Sequence, residues 1–265
     1  MNETLAKARS ADGTEIAYET DGQGPPVLVV GGALSSRHAA APLVPHLADR
    51  FTVVRYDRRG RGDSGDTQPY APEREVEDIE AVIAAVGGPV LVFGHSSGAA
   101  LALHAARRPA PIAKLVLYEP PFIVDDTRSP LPADHLERLR SLDPGAALEY
   151  FMTEAVQVPP QMLAGMKASP MWGELLSVAH TLIYDNVLMW PEEQGTPLPG
   201  EWADEIGPIP TLVIDGGNSP AWMRNAVQAT AELLPNARRL TLEGCDHSAP
   251  PEKVAAVLTE FYEED

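Results

Sequence analysis

A single cysteine, Cys245, stands among 265 residues, so no disulfide can form within the chain, and no cluster of Cys and His has the spacing of a metal site. Cys245 is expected to be a small buried filler. Basic residues are scarce: 20 Lys and Arg against 38 Asp and Glu leave a net charge of −18 at pH 7. Contacts with nucleic acid or with anionic membranes need clustered Lys and Arg, and that deficit argues against both as partners. Long apolar runs are missing too. No stretch approaches the roughly 20 residues of a membrane span, and Met1 to Asp12 carries no apolar run of the kind a secretory signal needs. The expectation is a cytoplasmic protein with no cofactor and no metal, in which hydrophobic residues, at 44%, suffice for a core.

Short apolar runs alternate with amphipathic stretches. Val27–Val30, Phe51–Tyr56, Val90–Phe93, Ala113–Tyr118, Thr211–Asp215 and Arg238–Leu242 read as strands buried on both faces of a parallel sheet. Thr14–Thr20 alternates like a half-exposed strand and forms a hairpin with the segment before Asp12-Gly13. Arg37–Ala48, Arg74–Val86, Ser97–Arg107, Ala221–Leu234 and Pro251–Phe261 read as helices. Repeated strand and helix predict an α/β fold, a doubly wound and mostly parallel sheet, with ligands at the carboxyl ends of the strands.

Within this pattern Val90-Leu91-Val92-Phe93 runs into Gly94-His95-Ser96-Ser97-Gly98, a G-x-S-x-G sequence with a strand before it and the small-residue helix Ala99–Leu103 behind it. A serine that projects from the top of a sheet needs such a sharp strand-to-helix turn, with glycines relieving the crowding on both sides. Ser96 is the candidate nucleophile. Such serines are followed along the chain by an acid and then by a histidine after the last strand, and His247, beyond the strand Arg238–Leu242 and the turn at Gly244, fits. Of the other histidines, His38, His46 and His104 fall in predicted helices, His95 fills the turn beside Ser96, and His135 and His180 lie in a middle segment.

These landmarks, with Val27-Leu28-Val29-Val30-Gly31-Gly32-Ala33 and Tyr56-Asp57-Arg58-Arg59-Gly60-Arg61-Gly62-Asp63-Ser64, make the chain resemble an α/β-hydrolase of the esterase, lactonase and cofactor-free haloperoxidase type. The resemblance covers nearly everything outside residues 122–205. It departs from the family in two places. Relatives carry His-Gly where this chain has Gly31-Gly32; the resemblance implies that the backbone N–H groups of Ala33 and Ser97 form the oxyanion hole, and backbone donors survive a change of side chain. Relatives also carry an aspartate as triad acid where this chain has Ser219. Three carboxylates are candidates in its stead. Glu119, after the strand Lys114–Tyr118, matches the place where some relatives keep their acid and is favoured. Asp215 sits early on the usual loop. Asp246 adjoins His247, but successive side chains diverge, so it reads as solvated charge.

Residues 122–205 break the alternation with Pro-rich joints, helical pieces such as Ala133–Leu142 and Ala146–Val156, five methionines and three tryptophans. They are predicted to form a helical cap inserted after the sixth strand, with residues 1–121 and 206–265 as the core. Met and Trp there can simply pack the subdomain's own core, or line an apolar pocket over Ser96; Gly32, Leu34, Met152, Trp172 and Trp190 are the pocket candidates. The implied chemistry is acyl transfer to water, from a small to medium apolar ester, thioester or lactone, through an acyl-enzyme on Ser96. A serine nucleophile argues against epoxide hydrolase and dehalogenase chemistry. The alternative is a ligand-binding, non-hydrolytic protein with an incomplete triad. A homodimer stays open.

Overall fold

The computed structural model describes residues 5–264; Met1–Thr4, part of the segment on which the expectation about a leader rests, lie outside the described residues. Eight strands form one sheet: β1 Ala6–Arg9, β2 Glu15–Gly22, β3 Pro26–Val30, β4 Thr52–Tyr56, β5 Val90–His95, β6 Ile112–Tyr118, β7 Thr211–Gly216 and β8 Ala237–Leu242. Their order is β1-β2-β4-β3-β5-β6-β7-β8. The β1/β2 and β2/β4 pairs are antiparallel and all others parallel. The reversal of strand order around β3 and β5 makes a crevice at their carboxyl ends, where such sheets hold ligands.

Side chains alternate across the sheet with period two. Leu28, Val30, Val92, Leu115, Leu117 and Val213 enter one apolar cluster, and Val27, Val29, Leu91, Phe93, Val116, Leu212 and Ile214 enter the other. Eleven α-helices are present among the described residues: α1 Val44–Leu47, α2 Pro72–Val86, α3 Ser97–Ala106, α4 His135–Ser141, α5 Pro144–Tyr150, α6 Pro160–Lys167, α7 Met171–Val178, α8 Leu182–Met189, α9 Trp202–Ile206, α10 Ala221–Leu233 and α11 Pro251–Glu263. Helices α2, α3 and α10 cover the first face, while α1 and α11 cover the second. Helix α3 is buried almost throughout, which explains a sequence of small apolar residues with no polar stripe.

The helix expected over Arg37–Ala48 is instead a 3-10 stretch over Arg37–Leu43 followed by α1. Pro42 and Pro45 lack the N–H that a continuous helix requires. Between β6 and β7 the chain makes α4 to α9, with a π turn at Phe151–Ala155 continuing α5. The buried side chains of this stretch, including Leu139, Leu148, Phe151, Met152 and Leu182, form a third apolar cluster against which Ala33, Leu34 and Trp172 pack. No helix among the described residues is long and apolar enough to cross a membrane.

Candidate active site

Ser96 sits between β5 and α3 with φ +57° and ψ −129°, a region that costs a non-glycine residue of order 1–3 kcal/mol and that recurs at functional sites. The turn is tight enough to need its glycines. A Cβ on Gly98 would lie 2.2 Å from the Val30 carbonyl oxygen, and one on Gly94 would lie 2.6 Å from the Ala99 Cα. The Ser96 N–H donates to the Tyr118 carbonyl at 2.9 Å, which ties the turn to the end of β6.

The next residue after β6 is Glu119, also at positive φ (+47°) and fully buried. Its Oε1 accepts the Gly216 N–H at 2.7 Å and its Oε2 meets His247 Nδ1 at 2.6 Å. Burial pushes the Glu119 carboxyl up, but the bonds from His247 and Gly216, with a weaker pull from the Ser219 hydroxyl, outweigh it and hold the carboxyl below its usual range. Ser219 is buried and its Oγ has no hydrogen bond of normal geometry. With Nδ1 engaged by a carboxylate, Nε2 is the imidazole nitrogen free to accept a proton. His247 is 37% exposed in its side chain and lines, with Ser96, Ser97 and Ala33, a cavity of about 580 Å³.

The other two carboxylates are engaged elsewhere. Asp215, fully buried at the end of β7, accepts from Arg239 at 2.5 and 3.2 Å and from Thr241 Oγ1 at 2.9 Å, both on β8. The exposed Asp246 caps the Ser248 N–H at 2.9 Å.

Beneath the strand-end loop at Gly31-Gly32 lies a buried ionic cluster. Arg61 Nη1 donates to the Gly32 carbonyl at 2.7 Å and Arg58 Nη1 to the Gly31 carbonyl at 3.4 Å. Arg58 is also bound by Glu75, and both arginines meet Asp185 of α8 at 2.6 Å. Asp185 in turn accepts from Ser97 Oγ at 2.7 Å. In a trans peptide the C=O and the following N–H point in opposite directions. Fixing the Gly32 carbonyl on Arg61 therefore directs the Ala33 N–H away from Arg61. In the sequence Arg58 and Arg61 are no more than landmarks of the turn after β4. The four-charge cluster draws on Glu75 and Asp185, about 110 residues apart, and nothing local marks that contact.

His95, read from the sequence as filler, and Tyr118 hold the loop that carries His247. His95 Nε2 lies 2.9 Å from the His247 carbonyl, and the Tyr118 hydroxyl donates to the Asp246 carbonyl at 2.6 Å. Burial, then the neighbouring His247, pushes His95 down to about 4, so it is a neutral donor near pH 7. Cys245 on the same loop is buried.

The pocket expectations need correction. The cavity wall comes from Pro121, Phe151, Val158, Met162, Met189 and Trp222, among others, and not from Leu34, Met152, Trp172 or Trp190. Met152 belongs to the third apolar cluster, Leu34 and Trp172 pack against it, and Trp190 stacks on His135 at 6.2 Å. Gly32 lines a second cavity of about 210 Å³ that also borders His247; a Cβ there would come within 3.0 Å of Ser96 Cβ. The tryptophan that does line the site, Trp222, is the one outside residues 122–205, in a stretch with no comparable density of methionine and tryptophan to mark it.

The model of the alpha/beta hydrolase family matches residues 27–257, and the chain belongs to that family. It is 51% identical to an alpha/beta hydrolase from Sphaerobacter thermophilus, with 97% of this chain and 100% of that one covered and a TM-score of 0.91. An enol-lactonase from Burkholderia xenovorans shares the fold at 20% identity, with 98% and 100% covered and a TM-score of 0.74. An uncharacterized hydrolase of Bacillus subtilis, YraK, is 34% identical over 113 residues, 41% of this chain; the chain spans 42% of the length of that curated relative.

Proposed function

We propose that the protein is a serine hydrolase that cleaves a carboxylic ester, thioester or lactone through an acyl-enzyme. The observation that carries this reading is the 2.6 Å bond between buried Glu119 and His247 Nδ1, on the cavity that also holds the strained Ser96. Glu119 sets the tautomer of His247 and stabilises the imidazolium. His247 Nε2 removes the Ser96 proton as Oγ attacks the substrate carbonyl, and the negative charge on oxygen is met by the N–H groups of Ala33 and Ser97. Collapse of the tetrahedral species expels the alcohol, thiol or ring oxygen with the proton from His247. Water, deprotonated by the same imidazole, then attacks the acyl-enzyme, and expulsion of Ser96 Oγ frees the acid. Residues 122–205 act as a cap whose Phe151, Met162 and Met189 supply the apolar wall for the acyl group.

The alternative, a non-hydrolytic binding protein with a broken triad, drew on the serine at position 219. Glu119 occupies the neighbouring space and weakens that motive. Reaction with a fluorophosphonate decides: stoichiometric labelling lost in Ser96→Ala, together with loss of hydrolysis of short acyl esters, is the expected result, and an unlabelled wild type that cleaves none of them overturns the reading.

A further inference from the structure

The cavity holding Ser96 and His247 is mostly apolar, and besides Asp246 and His247 two ionisable side chains interrupt its wall, Arg128 and Glu193. Both are more than nine-tenths buried, at 8% and 5% exposure. Arg128 follows β6; Glu193 ends a 3-10 turn at Trp190–Glu193. The Arg128 Nη2 donates to the carbonyls of Ala155 at 2.6 Å and Glu154 at 3.3 Å. Its Nε is buried with no acceptor, and among the described residues none is bonded to Nη1. The guanidinium lies over the Trp222 ring, 4.2 Å from its centroid, which fixes the plane of its fork. Glu193 Oε2 is likewise buried and unpartnered.

A guanidinium keeps its charge at any pH a protein meets. Its hydrogen bonds go to carbonyls alone, and Glu193 attracts it through space without forming an ion pair with it, so it lacks the directly paired counter-ion that makes burial of charge tolerable. Each such group in a native structure calls for an explanation, and a wall position in the cavity of Ser96 points to a ligand. We propose that Arg128, stacked on Trp222 and backed by Glu193, receives a carboxylate carried by the acyl substrate at the end remote from its scissile carbonyl. The proposal rests on the Ser96 hydrolase reading and narrows its substrates to hemiesters, or the lactone equivalents, of dicarboxylic acids.

The chemistry of Glu193 supports this. Burial, together with the Glu192 and Asp185 carboxylates and against the pull of Arg128, pushes the Glu193 carboxyl up to about 8, so near neutrality it keeps its proton and donates a hydrogen bond. A bound carboxylate then meets one cation and one neutral donor. Once Glu193 ionises, it competes with the substrate for Arg128. Asp185 is itself paired with Arg58 and Arg61, and Asp246 and His247 are the other titratable groups on the cavity wall. Preference for the anionic substrate is therefore highest below about pH 8 and declines above it.

The test compares ethanol release from monoethyl esters of succinate, adipate and suberate with release from the ethyl alkanoates of equal acyl length. At pH 7 the best hemiester should exceed its neutral partner about tenfold or more in kcat/KM, chiefly through KM, the range expected for one charge-assisted contact. Free adipate should inhibit hydrolysis of ethyl hexanoate competitively, a measurement that needs no variant. In Arg128→Met the ratio should fall to one or below, with circular dichroism reporting the fold. Glu193→Gln should keep the preference and remove its decline between pH 7 and 9. A wild-type ratio near one across the series, or a preference that survives in Arg128→Met, overturns the proposal and leaves the hydrolase reading intact. If neither ester is cleaved and Ser96 is not labelled, the hydrolase reading falls and takes this proposal with it.

Discussion

Glu119 and His247, 128 residues apart in the chain, meet through a 2.6 Å hydrogen bond, and the second oxygen of that carboxylate is held by the Gly216 N–H at 2.7 Å. A carboxylate so anchored cannot rotate away from the imidazole, so it fixes both ring orientation and tautomer. Glu119→Gln keeps the shape but offers an N–H or a weaker acceptor to Nδ1. A loss on the order of 10⁴ in kcat is expected, by analogy with the aspartate-to-asparagine change in a serine protease triad. Steady-state kinetics on a short ester measure it, and a loss under tenfold would remove Glu119 from the mechanism.

Asp215→Asn gives the contrasting result. Its carboxylate binds Arg239 and Thr241 rather than His247, so kcat should change by less than about tenfold while stability falls by roughly 1–3 kcal/mol, the cost of a buried charged hydrogen bond. Chemical denaturation and kcat on the same preparation separate the two effects. A crippled but fully stable Asp215→Asn would move the acid to the end of β7.

These two carboxylates show what the sequence carried and what it did not. Strand and helix order could be read from local patterns, and Ser96, His247 and Glu119 could be singled out as candidates because each is tied to one: an apolar run, a glycine turn, the first residue beyond a strand. The structure joins two of them, Glu119 and His247, by a hydrogen bond. The pocket could not. Met152 and Trp172 lie in a segment rich in apolar residues, and composition alone does not tell a residue packed inward on its own helices from one facing a cavity. Trp222, Arg128 and Glu193 come from three separate segments, and their convergence depends on how the helices between β6 and β7 settle on the sheet. Long-range ionic pairing, as between Arg58 and Asp185, has no local mark at all.

The buried glutamates set an alkaline limb on stability. Burial pushes Glu192 up to about 7 and Glu193 up to about 8, above the value of about 4.3 for the unfolded chain. The folded state thus holds protons that the unfolded state has released, and stability falls as pH rises from about 4.5 through these values, levelling off above them. Between pH 6.5 and 8.5 the loss should be on the order of 2 kcal/mol. Urea titrations at the two pH values measure it, and Glu193→Gln should flatten the difference. A difference of equal size in Glu193→Gln and Glu192→Gln would assign the limb to other groups.

Ser97→Ala separates the backbone of that residue from its side chain. The hydroxyl donates to Asp185 at 2.7 Å and is fully buried, so its removal leaves one oxygen of Asp185 with a single partner, Arg58. A cost of about 1–2 kcal/mol is expected. The N–H survives, so kcat should fall only as far as the loop at Gly31-Gly32 loosens, by about tenfold at most. A loss of several hundredfold with unchanged stability would show that the Ser97 hydroxyl itself meets the substrate.

Tyr118→Phe tests whether the loop bearing His247 is held for catalysis. The Tyr118 hydroxyl donates to the Asp246 carbonyl at 2.6 Å, one residue before His247, while His95 holds the His247 carbonyl at 2.9 Å. Two donors from adjacent strands thus fix successive peptide units, and with them the direction in which the His247 side chain leaves the backbone. Misplacing a catalytic group by an ångström costs up to about a hundredfold, but His95 remains in the single variant, so a loss of about tenfold in kcat is expected, with KM unchanged. The double variant Tyr118→Phe with His95→Phe should lose more than the product of the two single losses, because the second tether compensates for the first only while it is present. Thermal denaturation of each variant checks that the fold persists. Multiplicative losses, or a rise in KM with kcat intact, would show that neither side chain positions the histidine.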